Sequence, residues 1–309
     1  MSKKNARPLR TVLFCAGTEE GEIRETFASG ADAIVIDLEE PCTPINEAVR
    51  DKGRALVKRM LAEFPKTGPM VFVRVQRPAT GQTMKDLRAV LCDRLDGILV
   101  PKIDSPADVH MTEGLLNSME VDTGLPMGKT QIYPILETAQ ALRRAYKIGK
   151  ASKRICYMGG AISRFGDIHQ AIGFRVTPDA RETLVLRSKA LMDARAAGIR
   201  YPIGGMWTGK LNDEAGLRAW CTELRNIGYY GMMIGDPRLV PIVHEIFSPT
   251  KDELDYWQRL DRLQTEAERS GADKILDGDP NMGEAHVVHG AHVESARKNL
   301  VWAHELGVI

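Results

Sequence analysis

QIYPILETAQ, residues 131–140, joins a buried strand to an ionisable end. Ile132, Tyr133, Ile135 and Leu136 form a run too apolar for a strand washed by water. The run stops at Glu137, and Thr138 is placed to cap a following helix. RICYMGGAISRFGDIHQAIG, residues 154–173, repeats the arrangement with an apolar run that leads to Asp167. When parallel strands close into a barrel, their C-terminal ends open on one mouth, and carboxylates on neighbouring ends share it. Pro134 is the discordant residue, because a central strand accommodates proline only where the chain bulges.

Working outward, the same kind of run recurs along the chain: TVLFCAG (11–17), AIVIDLE (33–39), MVFVRV (70–75), GILVPKI (97–103), RYPIGGM (200–206) and GMMIGD (231–236). The runs are nearly continuous rather than alternating, as strands buried on both faces of a parallel sheet are. Amphipathic segments lie between them, the clearest being PINEAVRDKGRALVKRMLAEF and PDARETLVLRSKALMDARAAG. The second ends on a glycine suited to a helix C-terminus. Eight strand–helix units over roughly 240 residues predict an α/β fold, a (β/α)₈ TIM barrel. A doubly wound sheet is the rival, but CAGTEEGE after the first strand lacks the glycine spacing of a dinucleotide site.

The barrel is expected over 1–248. Residues 249–309 are expected to form a C-terminal helical extension: a helix in FSPTKDELDYWQRLDRLQTEAERSG, a loop at DGDPNMGEA and a last helix near ESARKNLVWAHEL. Packing at a subunit interface would give the extension a use, so a homo-oligomer (trimer or hexamer) is expected. A monomer that folds the extension back on itself is the alternative.

Composition narrows the classes. The chain has 309 residues, 43% hydrophobic and 27% charged, with a formal net charge of +1. That balance supplies a sizeable core and no basic field for nucleic acid. Five scattered cysteines, an odd number without a CxxC pair, fit a reducing cytoplasmic location better than a disulfide framework. No run approaches the ~20 apolar residues of a membrane span, and TVLFCAG is too short for a signal segment.

Asp37 and Glu39 fall at the end of strand two, Arg74 of strand three, Lys102 of strand four, Glu137 of strand five and Asp167 beyond strand six. Two carboxylates without nitrogen or sulfur ligands describe a site for a hard cation that keeps waters and open positions. Glu137 and Asp167 are therefore read as a Mg²⁺ pair, with Mn²⁺ equally accommodated. A Glu beside a helix N-terminus is also an ordinary dipole partner. Arg74, likewise, is either a substrate-binding guanidinium or a plain ion-pair partner of Asp37 or Glu39.

RTVLF (10–14), IDLEE (36–40), VRV (73–75), PKI (101–103), LET (136–138), FGDIHQAIG (165–173) and FSP (247–249) occur in the order and spacing of a known superfamily. The chain resembles the HpcH/HpaI aldolases and citrate lyase β-subunits, most closely the citrate lyase β-like branch with its malyl-CoA lyases, over essentially its whole length. The resemblance implies a Mg²⁺-dependent lyase or aldolase that makes or breaks a carbon–carbon bond beside a carboxylate or thioester. Its substrate would be a small 2-keto or hydroxy acid, or the acyl-CoA ester of one. It places the metal ligands on Glu137 and Asp167 and the substrate arginine on Arg74. The backbone amides of Phe165 and Gly166 would hold the substrate carboxylate, and Asp37 and Glu39 would orient Arg74 or order metal waters. Arg10 would assist CoA phosphate binding.

The chain also departs from that family. Where the family carries IHPxQ after strand eight, this sequence reads IGDPRL, so Asp236 either changes the charge of the mouth or closes a turn. His289, in AHVVHGAHVES, stands where relatives carry a proton-transferring aspartate, and an imidazole can do that work near neutral pH. His286, His289 and His292 also have the spacing of a transition-metal cluster, although three residues at intervals of three drift around a helix. Cys42 lies in a loop near the expected mouth without a visible base, and Trp207 after strand seven either walls the pocket or packs the loop. Two further functions stay open: a pyruvate-type aldolase acting on free acids, and a catalytically silent metabolite-binding subunit of a larger complex.

Overall fold

The structure, a computed structural model, describes residues 6–41, 46–160, 162, 166–177, 179–271, 275–278 and 285–309. It divides into two units, Met1–Glu245 and Ile246–Ile309.

The first unit alternates strand and helix: β1 (Thr11–Ala16), α1 (Glu20–Ala28), β2 (Ala33–Asp37), α2 (Glu47–Glu63), β3 (Met70–Arg74), α3 (Thr83–Val90), β4 (Gly97–Val100) and α4 (Pro106–Asp122). It continues with β5 (Gln131–Leu136), α5 (Ala139–Lys150), β6 (Gly159–Gly160), α6 (Asp167–Ile172), α7 (Leu184–Ala196), β7 (Ile203–Gly204), α8 (Glu214–Ile227), β8 (Gly231–Ile234) and α9 (Val240–Ile246). All eight strands are parallel, in the order β6-β5-β4-β3-β2-β1-β8-β7. This is the expected (β/α)₈ barrel, with its ladder nearly closed between β6 and β7.

Alternation along the strands decides what enters the barrel. Val12 of β1, Ala33 and Val35 of β2, Met70 and Phe72 of β3, Leu99 of β4, Tyr133 and Ile135 of β5, Ile203 of β7 and Met233 of β8 form one buried cluster. Phe72, Tyr133 and Tyr157 pack there with ring centroids 5.9–6.2 Å apart. Residues of the opposite parity face the helices; Met232 of β8 lies against Cys221 of α8, with the sulfurs 3.4 Å apart.

Where the ladder thins, glycine and proline explain it. A Cβ on Gly159 would stand 1.7 Å from the Ile203 carbonyl oxygen, so only glycine lets β6 and β7 approach. A hydrogen bond from Ile203 N to Met158 O, at 3.3 Å, crosses the gap. On the other side of β6, Ile132 N donates to Arg154 O at 3.0 Å, and bridging resumes only at Ile135–Gly159. Pro134 falls between them, on the parity of Ile132, where an N–H would have faced β6. The sequence expected strands over 154–160 and 200–206; the buried segment before β6 lacks a ladder because Pro134 cannot donate to it.

Helix ends follow their side chains. Asn46 caps α2 by accepting from Val49 N at 3.0 Å, and Thr138 caps α5 by accepting from Ala141 N at 3.0 Å, as its position after Glu137 suggested. No helix among the described residues is long and apolar enough to cross a membrane.

The second unit holds α10 (Lys251–Ser270), the antiparallel pair β9 (Leu276–Gly278) and β10 (Ala285–Val287), and α11 (Gly290–Glu305). Thr250 and Glu253 cap α10 reciprocally, and Trp257 and Trp302 join α10 to α11 with centroids 6.3 Å apart. The stretch read as a plain loop, DGDPNMGEA, thus begins and ends in paired strands.

Candidate active site at the barrel mouth

Asp37, Arg74 and Glu137 continue the inward parity of β2, β3 and β5, so their side chains rise from the barrel interior into its mouth. Asp37 and Arg74 are register partners. The guanidinium grips the carboxylate as a fork, Nε to Oδ1 at 2.8 Å and Nη2 to Oδ2 at 2.6 Å. Arg74 Nη1 lies 3.0 Å from Glu39 Oε2, and its guanidinium carbon stands 5.7 Å from the centroid of the Phe14 ring. Asp37 Oδ1 also accepts from Glu39 N at 2.9 Å, while Gln76 Nε2 donates to Glu39 O at 2.8 Å. These bonds hold the chain beyond β2 so that Glu39 turns back over Arg74.

Lys102 carries the arrangement from β2 to β5. Its Nζ is 2.9 Å from Glu39 Oε1, 3.6 Å from Glu40 Oε1 and 3.3 Å from Asp167 Oδ2. Its backbone N–H donates to Glu137 Oε1 at 2.8 Å. Asp167 opens α6 directly after Gly166. Arg74, Asp37, Glu39, Lys102, Glu137 and Asp167 therefore form one connected set drawn from five consecutive strand ends.

The charges of Asp37, Glu39, Arg74 and Glu137 act strongly because little water reaches them, whereas Asp167 at the rim is partly exposed. Burial, with Glu39 and Asp167 close by, pushes the Glu137 carboxyl up to about 7, although the Lys102 amide and Arg74 pull the other way. Burial also raises Glu39, opposed by Arg74 and Lys102. For Arg74, burial works against the charge, but its hydrogen bonds to Asp37 and the fields of Asp37, Glu39 and Glu137 outweigh it. Lys102 behaves alike, with Glu39, Asp167 and Glu137 holding its proton against burial. Both cations are firmly charged.

The acids outnumber the cations. That surplus is the chemistry of a divalent-cation site, and relief of repulsion on Glu137 is what such an ion would supply. Among the described residues no group of three or more His, Cys, Asp or Glu side chains is arranged to hold a metal alone. The Glu137–Asp167 pair suits an ion that takes its other ligands from water and substrate.

Other expectations fare differently. Arg10 precedes β1, at the N-terminal end of the barrel, opposite the mouth. Asp32 takes its Nε and Nη2 at 2.9 Å each and its backbone N–H at 2.7 Å. The expected role in CoA phosphate binding thus falls on a residue that precedes its strand and is engaged by Asp32. Asp236 closes a turn, accepting from Arg238 N and pairing with its guanidinium at 2.7–2.8 Å. Trp207 packs on its own loop, since a Cβ on Gly209 would stand 2.0 Å from the indole. Cys15 is buried, its thiol pushed up to about 12, as befits a core side chain. His289 lies in the second unit just before α11, its N–H donating to His292 Nδ1 at 3.2 Å. Phe165, Cys42 and the His286 side chain lie outside the described residues. Lys102 was named at its strand end without a role; nothing in PKI announces that it contacts three carboxylates.

A barrel with a fixed arginine and converging carboxylates at its strand ends is a scaffold for chemistry on small oxygen-rich acids. The sequence pattern of the HpcH/HpaI aldolase/citrate lyase family matches residues 10–237, and the chain belongs to that family. Citrate lyase subunit beta of Leuconostoc mesenteroides subsp. cremoris is 29% identical over 88% of this chain and 87% of its own length. A (3S)-malyl-CoA thioesterase of Cereibacter sphaeroides is 27% identical over 96% of this chain and 95% of its own. Among solved structures, CitE from Mycobacterium tuberculosis in complex with magnesium, acetoacetate and coenzyme A superposes with a TM-score of 0.71. The match has 20% identity and covers 97% of this chain and 99% of that one. A citrate lyase from Burkholderia xenovorans LB400 gives a TM-score of 0.77 at 15% identity, covering 100% and 95%. The relatives bear the names of enzymes, lyase and thioesterase alike.

Proposed function

We propose that the protein is a Mg²⁺-dependent carbon–carbon lyase or aldolase acting on a small 2-keto or hydroxy acid or its acyl-CoA thioester, with Mn²⁺ accepted in place of Mg²⁺. The observation that carries this reading is the continuous set from Asp37 through Arg74, Glu39 and Lys102 to Glu137 and Asp167. Glu137 and Asp167 would hold the ion. When bound, it supplies Lewis-acid polarisation of a substrate carbonyl and a fixed place for the adjacent carboxylate.

Arg74 is held by Asp37 through Nε and one Nη2 hydrogen and lies against Glu39 through Nη1, which leaves the second Nη2 hydrogen and the remaining Nη1 hydrogen as donors for a substrate oxygen. Those donors suit an oxygen that gains negative charge as the carbon–carbon bond breaks. Asp37 keeps the fork aimed, and Glu39 sits between Arg74 and Lys102 so that neither cation turns away. The backbone amide of Gly166, beside Asp167, is assigned to the substrate carboxylate, and His289 to proton transfer. A homo-oligomer in the cytoplasm completes the proposal. The free thiols of Cys15, Cys92 and Cys221 accord with a reducing compartment.

One observation favours a pyruvate-type aldolase on free acids as the second reading: Asp32 holds the arginine that CoA would have used. Thermal unfolding with Mg²⁺ and acetyl-CoA, malyl-CoA, citryl-CoA, oxaloacetate or pyruvate separates the two, since a ligand that binds the folded state raises Tm. A Mg²⁺-dependent rise with a CoA ester supports the acyl-CoA lyase. A rise with keto acids alone supports the aldolase, and no rise with any ligand overturns both. The named thioesterase relatives make release of free CoA a second product to assay.

A further inference from the structure

We infer that Lys102 is the positioning residue that sets how tightly the divalent cation is held: its main chain fixes one ligand while its ammonium competes for the other. The inference rests on the metal assignment of Glu137 and Asp167.

Lys102 touches both carboxylates by different means. The backbone N–H, 2.8 Å from Glu137 Oε1, orients that carboxylate without adding net charge. The side chain reaches across the mouth and places Nζ 3.3 Å from Asp167 Oδ2 and 2.9 Å from Glu39 Oε1. The residue that reaches both has an unusual backbone. Lys102 has φ of 51°, in the left-handed region, where the only other non-glycine among the described residues is Ala180. A side chain there costs on the order of 1 kcal/mol relative to glycine, so the conformation persists because the contacts around it require it.

The two contacts act oppositely on a cation. The amide preorganises Glu137. The ammonium carries a full positive charge within bonding distance of Asp167, so it neutralises a ligand that the ion needs and repels the ion itself. Glu39 and Glu40, 2.9 and 3.6 Å from the same ammonium, offer it partners to keep when a metal takes Asp167. Lys102 thereby keeps the bare ion from binding too strongly and leaves coordination to be completed by substrate.

The test is Mn²⁺ affinity, read from the paramagnetic signal of free Mn²⁺ without any substrate, for wild type, Lys102→Gln, Lys102→Gly and Glu137→Gln. Lys102→Gln keeps most of the side-chain length and removes the charge. Lys102→Gly keeps the left-handed backbone and its N–H while removing the side chain, which guards against a fold-disrupting substitution; Tm is recorded for each. Both Lys102 variants are expected to bind Mn²⁺ about tenfold more tightly than wild type, and the gap is expected to narrow at high salt. A residue that merely braced the fold would weaken binding or leave it unchanged, and either result in both variants overturns the inference. If wild type and Glu137→Gln bind Mn²⁺ equally, or neither binds it, the metal assignment itself fails and the inference falls with it.

Discussion

Asp37 and Arg74 face each other twice, as Cα partners at the ends of β2 and β3 and as a two-pronged ion pair. The backbone ladder therefore aims the guanidinium before any side chain has to choose a rotamer. A lysine at the same position keeps the charge and loses the fork.

Arg74→Lys is expected to lower kcat/KM by roughly 10²–10³-fold, the scale of losing one oxyanion donor, with a small change in Tm. Arg74→Ala leaves Asp37 and Glu39 buried without their partner and should cost about 3–5 kcal/mol of stability. Steady-state kinetics with denaturant unfolding checks both. Full turnover in Arg74→Lys would remove Arg74 from the chemistry.

Glu137 gives a signed dependence on pH. Its carboxyl is raised from an ordinary 4.5 to about 7 in the folded protein, so the folded state holds that proton more tightly than the unfolded chain. The stability this contributes is complete below about 4.5 and is lost as pH rises through about 7. Glu137→Gln, permanently neutral, should therefore gain on wild type across that window, by on the order of 3 kcal/mol, and then hold level. Urea unfolding of both proteins in chelator-containing buffers from pH 4 to 9 measures the gap. A constant gap would contradict the burial of a proton on Glu137.

Gly159→Ala places a methyl group where the Ile203 carbonyl stands. The strands must part, and a loss of more than about 3 kcal/mol is expected, beyond the usual cost of an added core methyl. An unchanged Tm would mean that β6 and β7 are not apposed as described.

Arg10→Gln tests whether Arg10 serves CoA or only Asp32. Its guanidinium and Asp32 are both largely buried, with side chains 19% and 12% exposed, so breaking the pair should cost about 2–4 kcal/mol. Any Tm increment produced by acetyl-CoA should stay unchanged. Loss of that increment at constant stability would restore Arg10 to ligand binding.

The sequence made the barrel legible because its signals are local: buried runs, amphipathic helices and the Thr138 cap. Arg74 and Glu137 were found the same way, as charges closing apolar strands. Long-range register was not legible. The consequence of Pro134 depends on which neighbour its missing N–H would have faced, and the role of Lys102 depends on a backbone angle that PKI does not signal. The RTVLF motif places Arg10 in order along the chain and does not signal the end of the barrel at which it lies, ahead of β1 and beside Asp32.

The thin ladder around β6 divides the mouth into a firm side and a loose one. Glu137 stands on β5, paired with β4 along four register positions, whereas Asp167 follows a strand of two residues beside a proline-interrupted edge. Amide exchange should accordingly be slow through β2–β5 and faster at the β6–β7 seam. Anything that ties Asp167 to Glu137 is then also a stitch along the β5–β6 edge that borders that seam. Ligation at the mouth and breathing of the barrel wall become a single equilibrium, and occupancy of the site can be followed through backbone amides that never touch the ligand.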